Sequence, residues 1–457
     1  WSLFAQDAWK ATRTLTITYG LRWEYNAAPS SPNGNLPFTV TGVGNLATMT
    51  LAPPGTPLWH PQKDDFAPRL GLAWQPLPNL VLRAGAGIFY DLGYSAVANG
   101  TSAFPFVQQK TLLNTAFPLS AAQAAPPPFK TTPPVSFLVV VDPNHFLPRT
   151  YEWNAAVEST LGKADVLTAT YLGAAGRKLT RQDIYNAPNP NFTGPFALIT
   201  NDAFSSYQAL QTQFRHRLGH GLQALFSYTW AHSIDDASSD INSLNVPPSV
   251  SPSERGSSDY DIRQTFSGAV SYDIPSPDIG IWRSIFGIWS TDSIVYARTA
   301  PPVNVVTGLD PFGGFLSGAS SVQRPDRVPG VPLWIGDRNA AGGKEINAAA
   351  FRMPITVQGD LGRNALRGFG AAQVDLTLRR QFELPQRFSL QARADFFNLF
   401  NRPNFGGPIN YLSSPLFGES TLILASYLGT GGQSGGLNPL YQIGGPRSVQ
   451  LALKVQF

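Results

Sequence analysis

The sequence predicts an all-β protein, and more narrowly an antiparallel transmembrane β-barrel. Apolar and polar residues alternate with a period of two over many segments. These segments run for about 8–12 residues, whereas strands of soluble proteins cluster near 5–6 and a tilted membrane-spanning strand needs about 9–11. The connections between the segments alternate between short and long, as the periplasmic turns and extracellular loops of such barrels do, and only Ile274–Phe286 is of intermediate length.

The last segment shows the alternation most clearly. One face carries Val449, Leu451, Leu453, Val455 and Phe457, and the other carries Ser448, Gln450, Lys454 and Gln456. The same period recurs in 14–25, 222–230 and 373–382. Because successive side chains of a strand point to opposite faces, these segments predict a sheet with one apolar and one polar face.

Thirteen such strands are predicted, and their links give a polarity to the sheet. The strands lie at 2–10, 14–25, 68–75, 79–90, 151–160, 165–173, 206–217, 221–232, 262–274, 287–298, 372–382, 387–398 and 447–457. With the C-terminus on the periplasmic side, the long segments between them face outward: 26–67, 91–150, 174–205, 233–261, 299–371 and 399–446. These segments are rich in Pro, Gly, Ser and Asn, so we expect them to be mobile or irregular.

An odd number of strands conflicts with the even numbers found in bacterial single-chain barrels. Either one strand in a long segment escapes the pattern, or the sequence is a portion of a barrel. Because Trp1 already lies inside a strand-like run, we expect the second: residues 1–457 are the C-terminal portion of a larger barrel, with about 13–14 of its strands. Such a partial barrel has two unpaired edges, which lipid does not tolerate. We therefore do not expect this portion alone to be a stable membrane protein.

The composition excludes several other classes of protein. Charged residues make up 14% of the chain, against roughly 25% in soluble domains, and no run of about 18 apolar residues predicts a transmembrane helix. The net charge of +4 is small and dispersed, so we expect no nucleic-acid partner. The five histidines lack metal-site spacing, Ser253–Gly256 is not a nucleophile motif, and the glycine-rich 429–436 lacks the lysine of a phosphate loop. We expect no enzyme activity and no cofactor.

Four stretches carry a family resemblance. They are WSLFAQDAWKATRTLTITYGLRWEY (1–25), YQALQTQFRHRLGHGLQALFSYTWAHSIDDAS (207–238), SDYDIRQTFSGAVSYDIP (258–275) and GDLGRNALRGFGAAQVDLTLRRQFELPQRFSLQARADFFNLFNRPNFG (359–406). In order and spacing they resemble TonB-dependent receptors of the acidobacterial, Oar-like type. That family carries a carboxypeptidase-regulatory-like N-terminal domain, then a plug, then a large barrel. The parts before the barrel have no counterpart in residues 1–457.

The resemblance implies a location in the outer membrane of a Gram-negative type of bacterium. It also implies energised movement of a bulky ligand, whose identity the sequence does not give. The implied partners are outer-membrane lipid, a TonB-type energising complex acting through the plug, and the barrel-assembly machinery. A passive porin and a surface adhesion or scaffold barrel are the alternatives.

The C-terminus and the outer acids are candidate sites. Phe457, with Val455 two residues before it, looks like the signal that the barrel-assembly machinery recognises, although an ordinary closing strand would end in the same way. Five acids, Asp235, Asp236, Asp240, Asp259 and Asp261, lie in one predicted outer loop and its edge. They are oxygen-rich enough for calcium, but their spacing matches no calcium motif, so we expect solvated loop acids.

Charged residues also concentrate in 359–406. They are Arg363, Arg367, Arg379, Arg380, Arg393 and Arg402, with Asp375, Glu383 and Asp395 among them. Of these, Asp375, Arg379, Arg393 and Asp395 are candidate lumen residues that either pair with a plug or line a path for an anion. Structural pairing across neighbouring strands is the expected alternative. Arg380 shares a face with Leu378 and is expected to face lipid near a turn, where its side chain reaches the interface.

Aromatic residues fall mostly near the predicted strand ends. They include Trp9, Trp23, Trp74, Trp153, Trp230, Trp282, Trp289, Tyr19, Tyr90 and Tyr228. Such positions are typical of the aromatic girdles at the two membrane interfaces. Trp59 and Trp334 lie in loops, where stacking on a sugar is the alternative role.

Overall fold

Thirteen long antiparallel strands form one sheet in chain order in this computed structural model. They are β1 Ser2–Lys10, β2 Leu15–Glu24, β3 Asp65–Leu77, β4 Leu80–Tyr90, β5 Arg149–Leu161, β6 Asp165–Asn186, β7 Pro195–Gly219, β8 Leu222–Asp235, β9 Gln264–Ile274, β10 Trp289–Arg298, β11 Ala371–Glu383, β12 Ser389–Phe397 and β13 Ser448–Gln456. The structure describes residues 1–92, 97–98, 100, 112, 115–126, 131–135, 138–219, 221–239, 254–275, 280, 287, 289–309, 323–354, 358–383, 388–427 and 443–456. All thirteen predicted strands are confirmed.

Each strand pairs with its neighbours in sequence, and the sheet does not close on itself. Within the described strands, β1 pairs with β2 alone and β13 pairs with β12 alone. Along the outer edge of each of these two strands, backbone N–H and C=O groups therefore pair with no described neighbouring strand. The sheet is a wall with two unpaired edges rather than a sealed cylinder.

The strand register separates an apolar face from a polar one. On β12 and β13, Ala392 lies opposite Leu453 and Ala394 lies opposite Leu451. Leu451 and Leu453 are 77% and 75% exposed on this face, respectively. The intervening residues, such as Arg393, point to the other face. In a membrane barrel the apolar face contacts lipid and the polar face lines the lumen.

The connections alternate in length as predicted, with one exception. Segment 174–205, predicted to be a long outer loop, is mostly strand: β6 continues to Asn186, β7 begins at Pro195, and only 187–194 connects them. The prediction of a loop was wrong because these strands extend beyond the lipid-facing rows, where apolar alternation is not required. A register shift between Thr200 and Ala203 separates this extension from the lower part of the hairpin.

The remaining elements are short and belong to the connections. Four small antiparallel pairs join Val40–Thr41 to Thr50–Leu51, Pro302–Val303 to Leu366–Arg367, Asp326–Arg327 to Phe351–Arg352, and Trp334–Gly336 to Lys344–Ile346. Leu138–Val141 adds to β7 in parallel, and Gly256–Ser257 adds to β8. Helical turns occupy α1 Ala121–Ala124, α2 Leu424–Tyr427, and the 3₁₀ segments Ala341–Gly343 and Ala348–Ala350. No described helix is both long and apolar enough to cross a membrane.

The buried apolar side chains lie mainly in the outer connections and the β6–β7 extension. One cluster joins Val40 and Met49 to Leu138, Phe192 and Phe196, and further members come from the same segments. A second forms within 303–417 around Ile346 and Phe351. A third surrounds Leu58 and Trp59.

Outside 174–205, the described outer segments contain only short regular elements, so the prediction of irregular segments is confirmed there, and these clusters add that the segments are packed. Their described parts form packed bodies at the outer end of the sheet. Each cluster takes its side chains from segments far apart in the chain, so a local composition rich in Pro and Gly does not reveal it.

Candidate functional site

A set of charges lies where β8 ends and β9 begins, at the outer end of the sheet, and all of its members except the partly exposed Arg367 are buried. Asp235 is the last residue of β8, and Asp261 lies three residues before β9. Arginines from the connection between β10 and β11 reach both carboxylates. We call the six residues Asp235, Glu254, Asp261, Arg324, Arg363 and Arg367 the outer ion-pair cluster.

Arg363 joins the two connections at the end of β8. Its Nη2 donates to Asp235 Oδ1 at 2.5 Å and to Ser238 Oγ at 2.5 Å. Its Nη1 donates to the backbone carbonyls of Asp235 and Glu254 at 3.0 and 3.2 Å. Because the guanidinium binds both side chain and backbone, it fixes the path of the chain as well as neutralising a buried acid.

Arg367 makes the equivalent contact at the start of β9. It donates to Asp261 Oδ2 at 2.6 Å, and the backbone N–H of Ser233 donates to Asp261 Oδ1 at 2.8 Å. The ring nitrogen Nδ1 of His232 lies 3.2 Å from the same carboxylate. Burial acts to raise the pKa of Asp261, but these hydrogen bonds together hold the pKa below its usual value.

Arg324 and Glu254 form the most enclosed pair of the cluster. Two guanidinium nitrogens donate to the two carboxylate oxygens at 2.7 and 3.0 Å, and Nε donates to the Leu361 carbonyl at 2.8 Å. Arg324 is 2% exposed and Glu254 is 6% exposed. This is the two-pronged geometry that makes arginine–carboxylate pairs strong and directional.

A second group of charges lies beside the β6–β7 extension. The Arg181 guanidinium contacts Asp183 at 3.0 Å and Asp236 at 3.4 Å. Asp236 also accepts the backbone N–H of Phe204 at 2.8 Å. Burial raises the pKa of Asp236 although the amide and the arginine act in the opposite direction. The extension is thereby held against the segment that follows β8.

The prediction of solvated outer acids is wrong for Asp235, Asp236 and Asp261. They are 1%, 9% and 1% exposed, and each contacts an arginine. The side chain of Asp259 is 55% exposed, and Asp240 lies outside the described residues. Within the described ranges, no group of three or more acids and histidines is arranged to hold a metal ion.

The candidate lumen residues lie on the polar face of the sheet. Arg379 reaches across to β10 and β9, with contacts of 3.2 Å to Asp292 and 3.9 Å to Asp273. Arg393 pairs with Asp395 on its own strand at 2.8 Å. Asp375 accepts hydrogen bonds from the Gln373 side chain and the Asn398 backbone N–H at 2.9 and 2.8 Å. Part of the group thus pairs across strands, and its role in a lumen stays a prediction.

Other singled-out residues are spread over the molecule. Arg380 lies on the apolar face, with its guanidinium carbon 4.5 Å from the Phe382 ring centre. Val455 is 56% exposed on the same face, and Phe457 lies outside the described residues, so the assembly signal stays a prediction. Trp59 is 3% exposed in a packed body, which rules out sugar stacking there. Trp334 packs instead against Lys344 and Phe369.

Sequence reasoning singled out neither Arg324 nor Glu254 as a site residue. It noted the acids of 235–261 and the arginines of 363–367, but as two separate sets. In the structure the two sets form one cluster. The chain distance between partners, 128 residues for Asp235 and Arg363, gives no local signal of the contact.

Comparisons with known proteins agree with this architecture. Residues 1–432 match the family model described as an outer membrane beta barrel domain. The outer membrane transporter YddB from Escherichia coli superposes with a TM-score of 0.50 at 9% identity, covering 99% of this chain and 44% of that one. BauA, the ferric preacinetobactin receptor from Acinetobacter baumannii, superposes with a TM-score of 0.46 at 10% identity, covering 99% of this chain and 42% of that one. The FrpB iron transporter from Neisseria meningitidis superposes with a TM-score of 0.46 at 10% identity, covering 99% of this chain and 44% of that one.

The chain therefore spans less than half the length of these solved structures. No curated protein matches the sequence. At such low identity, the similarity to YddB concerns the fold alone.

Proposed function

Because this chain belongs to the outer membrane beta-barrel domain family and is located in the outer membrane, we propose that it forms part of the wall of a TonB-dependent transporter. This transporter moves a bulky ligand across the membrane. The wall has an apolar face toward lipid and a polar face toward the lumen. It has no catalytic role.

The fit of nearly the whole chain onto part of a larger barrel carries the proposal. The thirteen-stranded sheet is open, and 99% of the chain superposes on 44% of an outer membrane transporter. Barrels of about 22 strands hold a plugged lumen, whereas porins of about 16–18 strands leave an aqueous channel. Both classes have more than thirteen strands, so the superposition on an outer membrane transporter, and not the strand count, favours the larger class.

Residues 1–457 are accordingly the C-terminal portion of the barrel in this proposal. A plug ahead of them closes the lumen and couples it to the energising complex of the inner membrane. Val455 and Phe457 take part in recognition by the barrel-assembly machinery. The Oar-like sequence stretches support this arrangement.

The outer ion-pair cluster has a mechanical role in this proposal. It joins segment 236–263 to segment 299–370 above the lumen, so the mouth keeps a defined shape while ligand passes. Lumen charges such as Arg379 and Arg393 form a polar wall that a plug or a hydrated ligand can contact without losing its hydrogen bonds.

Energy dependence is the test of the proposal. Growth on a panel of sole nutrient sources would be compared between the parent strain, a strain lacking this protein and a strain lacking the energising inner-membrane complex. We expect at least one nutrient on which both deletion strains fail to grow to the same extent. If loss of this protein matters while loss of the energising complex does not, the transporter proposal is wrong.

The conductance of the reconstituted protein distinguishes a plugged transporter from a porin. The full-length protein reconstituted in a planar bilayer should show no stable open channel, because a plug fills the lumen. A steady conductance from the intact protein would identify a porin. An adhesion barrel would show no conductance. Its loss would change the attachment of cells to surfaces and would leave growth on every nutrient unchanged.

A further inference from the structure

One charged side chain interrupts the apolar face of the last strands. In the register of β11, Arg380 lies opposite Trp289 on β10 and opposite Ala392 on β12. Across the described outward positions of β9 to β13, Arg380 is the only charged residue. Its position three residues before the end of β11 places it toward the short-turn end of the sheet. By the predicted orientation, this is the periplasmic side.

A groove begins beside Arg380 and follows β12. Its floor consists of Ala392 and Ala394, whose side chains are single methyl groups. Larger side chains stand on both sides, Leu378 and Phe382 on β11, Leu451 and Leu453 on β13. The groove has a volume of about 670 Å³. Small residues between rows of large ones thus leave a trough of the shape that a hydrocarbon chain fills.

The aromatic side chains hold the cation at the end of this groove. The Arg380 guanidinium carbon lies 5.5 Å from the Trp289 ring centre and 4.5 Å from the Phe382 ring centre. Both distances are in the range of cation–π attraction. An arginine on the lipid face costs about 2–4 kcal/mol at the middle of a bilayer and about 0–1 near its interfaces. A position near the headgroups is therefore the one that this side chain tolerates.

We propose that this groove is a binding site for an anionic phospholipid of the periplasmic leaflet. The lipid phosphate contacts the Arg380 guanidinium, and one acyl chain lies over Ala392 and Ala394 between the two rows of large side chains. An anionic phospholipid is chemically complementary to this groove, which faces lipid, is lined mainly by apolar side chains and carries the Arg380 cation. The site depends on the outer-membrane location and not on the transported ligand.

Native mass spectrometry of the full-length protein, released from detergent micelles, measures how much lipid stays bound to the protein. The probe is phosphatidylglycerol, with phosphatidylcholine as the comparison lipid. We expect the wild type to retain one phosphatidylglycerol molecule at concentrations where phosphatidylcholine is lost. Arg380→Gln should weaken its retention at least fivefold, because a charge-assisted contact to phosphate is removed.

Two further variants complete the test. Ala392→Leu keeps the cation but fills the floor of the groove, and it should also weaken retention at least fivefold. Arg13→Gln removes a charge from an exposed turn at the same end of the sheet, and it should bind as the wild type does. A shift on heating in gel electrophoresis verifies that each barrel is folded. The proposal is overturned if Arg380→Gln or Ala392→Leu retains phosphatidylglycerol as well as the wild type does. It is also overturned if Arg380→Gln and Arg13→Gln lose the lipid equally, because the bound lipid is then ordinary surrounding lipid.

Discussion

Arg324 and Glu254, 70 residues apart in the chain, form a buried two-pronged ion pair with N–O distances of 2.7 and 3.0 Å. The pair joins the connection after β8 to the connection after β10. It lies beside the contacts of Arg363 with Asp235 and of Arg367 with Asp261. Two of the three pairs thus join the two outer segments, and the pair of Arg363 with Asp235 joins the connection after β10 to the end of β8.

Removing one partner of this pair should loosen the outer body. Arg324→Ala leaves the Glu254 carboxylate buried without its guanidinium, which costs about 3–5 kcal/mol. We expect a lower free energy of unfolding in urea and faster cleavage of 236–263 by protease added to intact cells. Arg352→Ala is the control, because Arg352 is 64% exposed and 3.5 Å from Asp326. It should change stability by less than about 1 kcal/mol. Equal effects of the two variants would contradict a structural role for the buried pair.

The imidazole of His145 should make the outer body sensitive to mild acid. Burial lowers the pKa of His145 to about 4, and its ring packs 6.0 Å from that of Trp59. The unfolded chain binds this proton near pH 6.5 and the folded chain near pH 4, so stability falls as pH drops through that window. The expected loss between pH 7 and pH 5 is about 2 kcal/mol.

Urea unfolding at the two pH values measures this loss. His145→Phe keeps an aromatic ring without a titrating group and should remove most of the difference. His60→Gln, at an exposed position nearby, should leave it unchanged. The same pH dependence in His145→Phe and the wild type would show that another group is responsible.

Gly173 allows the indole of Trp153 to lie flat on the lipid face. The two residues are opposite each other on β5 and β6, and a Cβ at Gly173 would lie 2.1 Å from Trp153 Cε2. Gly173→Ala must displace the ring, at a cost of about 1–3 kcal/mol. At Gly71, a Cβ would meet its nearest atom at 3.6 Å, an ordinary contact. Gly71→Ala should therefore unfold at nearly the wild-type urea midpoint, while Gly173→Ala unfolds earlier. A wild-type midpoint for Gly173→Ala would show that the indole does not need this space.

Chemical labelling tests which end of the sheet faces outward. The chain contains no cysteine, so one introduced thiol gives an unambiguous signal. A membrane-impermeant maleimide on intact cells should label Arg352→Cys, in the long connection after β10. It should not label Lys163→Cys, in the turn between β5 and β6, until the outer membrane is opened. The opposite pattern would reverse the orientation.

The strands were readable from the sequence because a lipid-facing wall imposes a strict pattern. Each membrane-spanning strand must present apolar side chains at every second position, as at Val449, Leu451 and Leu453, so local alternation is sufficient. The same rule explains the error at 174–205. There β6 and β7 extend beyond lipid, and their outer rows carry charged residues such as Arg181 and Asp183.

The outer bodies could not be read in this way. Their stability comes from contacts between segments with no shared period, such as the apolar cluster that includes Val40 and Phe196, or the ion pair of Asp235 with Arg363. Acids and arginines were both noticed, but nothing local indicates that they meet. Burial then reverses the interpretation of the acids, from solvated groups to ion-pair partners.

The native protein shows whether this chain is part of a plugged transporter barrel. An antibody against 233–261 would capture it from outer-membrane fractions, followed by intact mass and N-terminal peptide mapping. We predict a native chain far larger than 49.4 kDa, with a globular segment ahead of Trp1. A native protein that begins at or near Trp1 would contradict the transporter and leave a small barrel of another function.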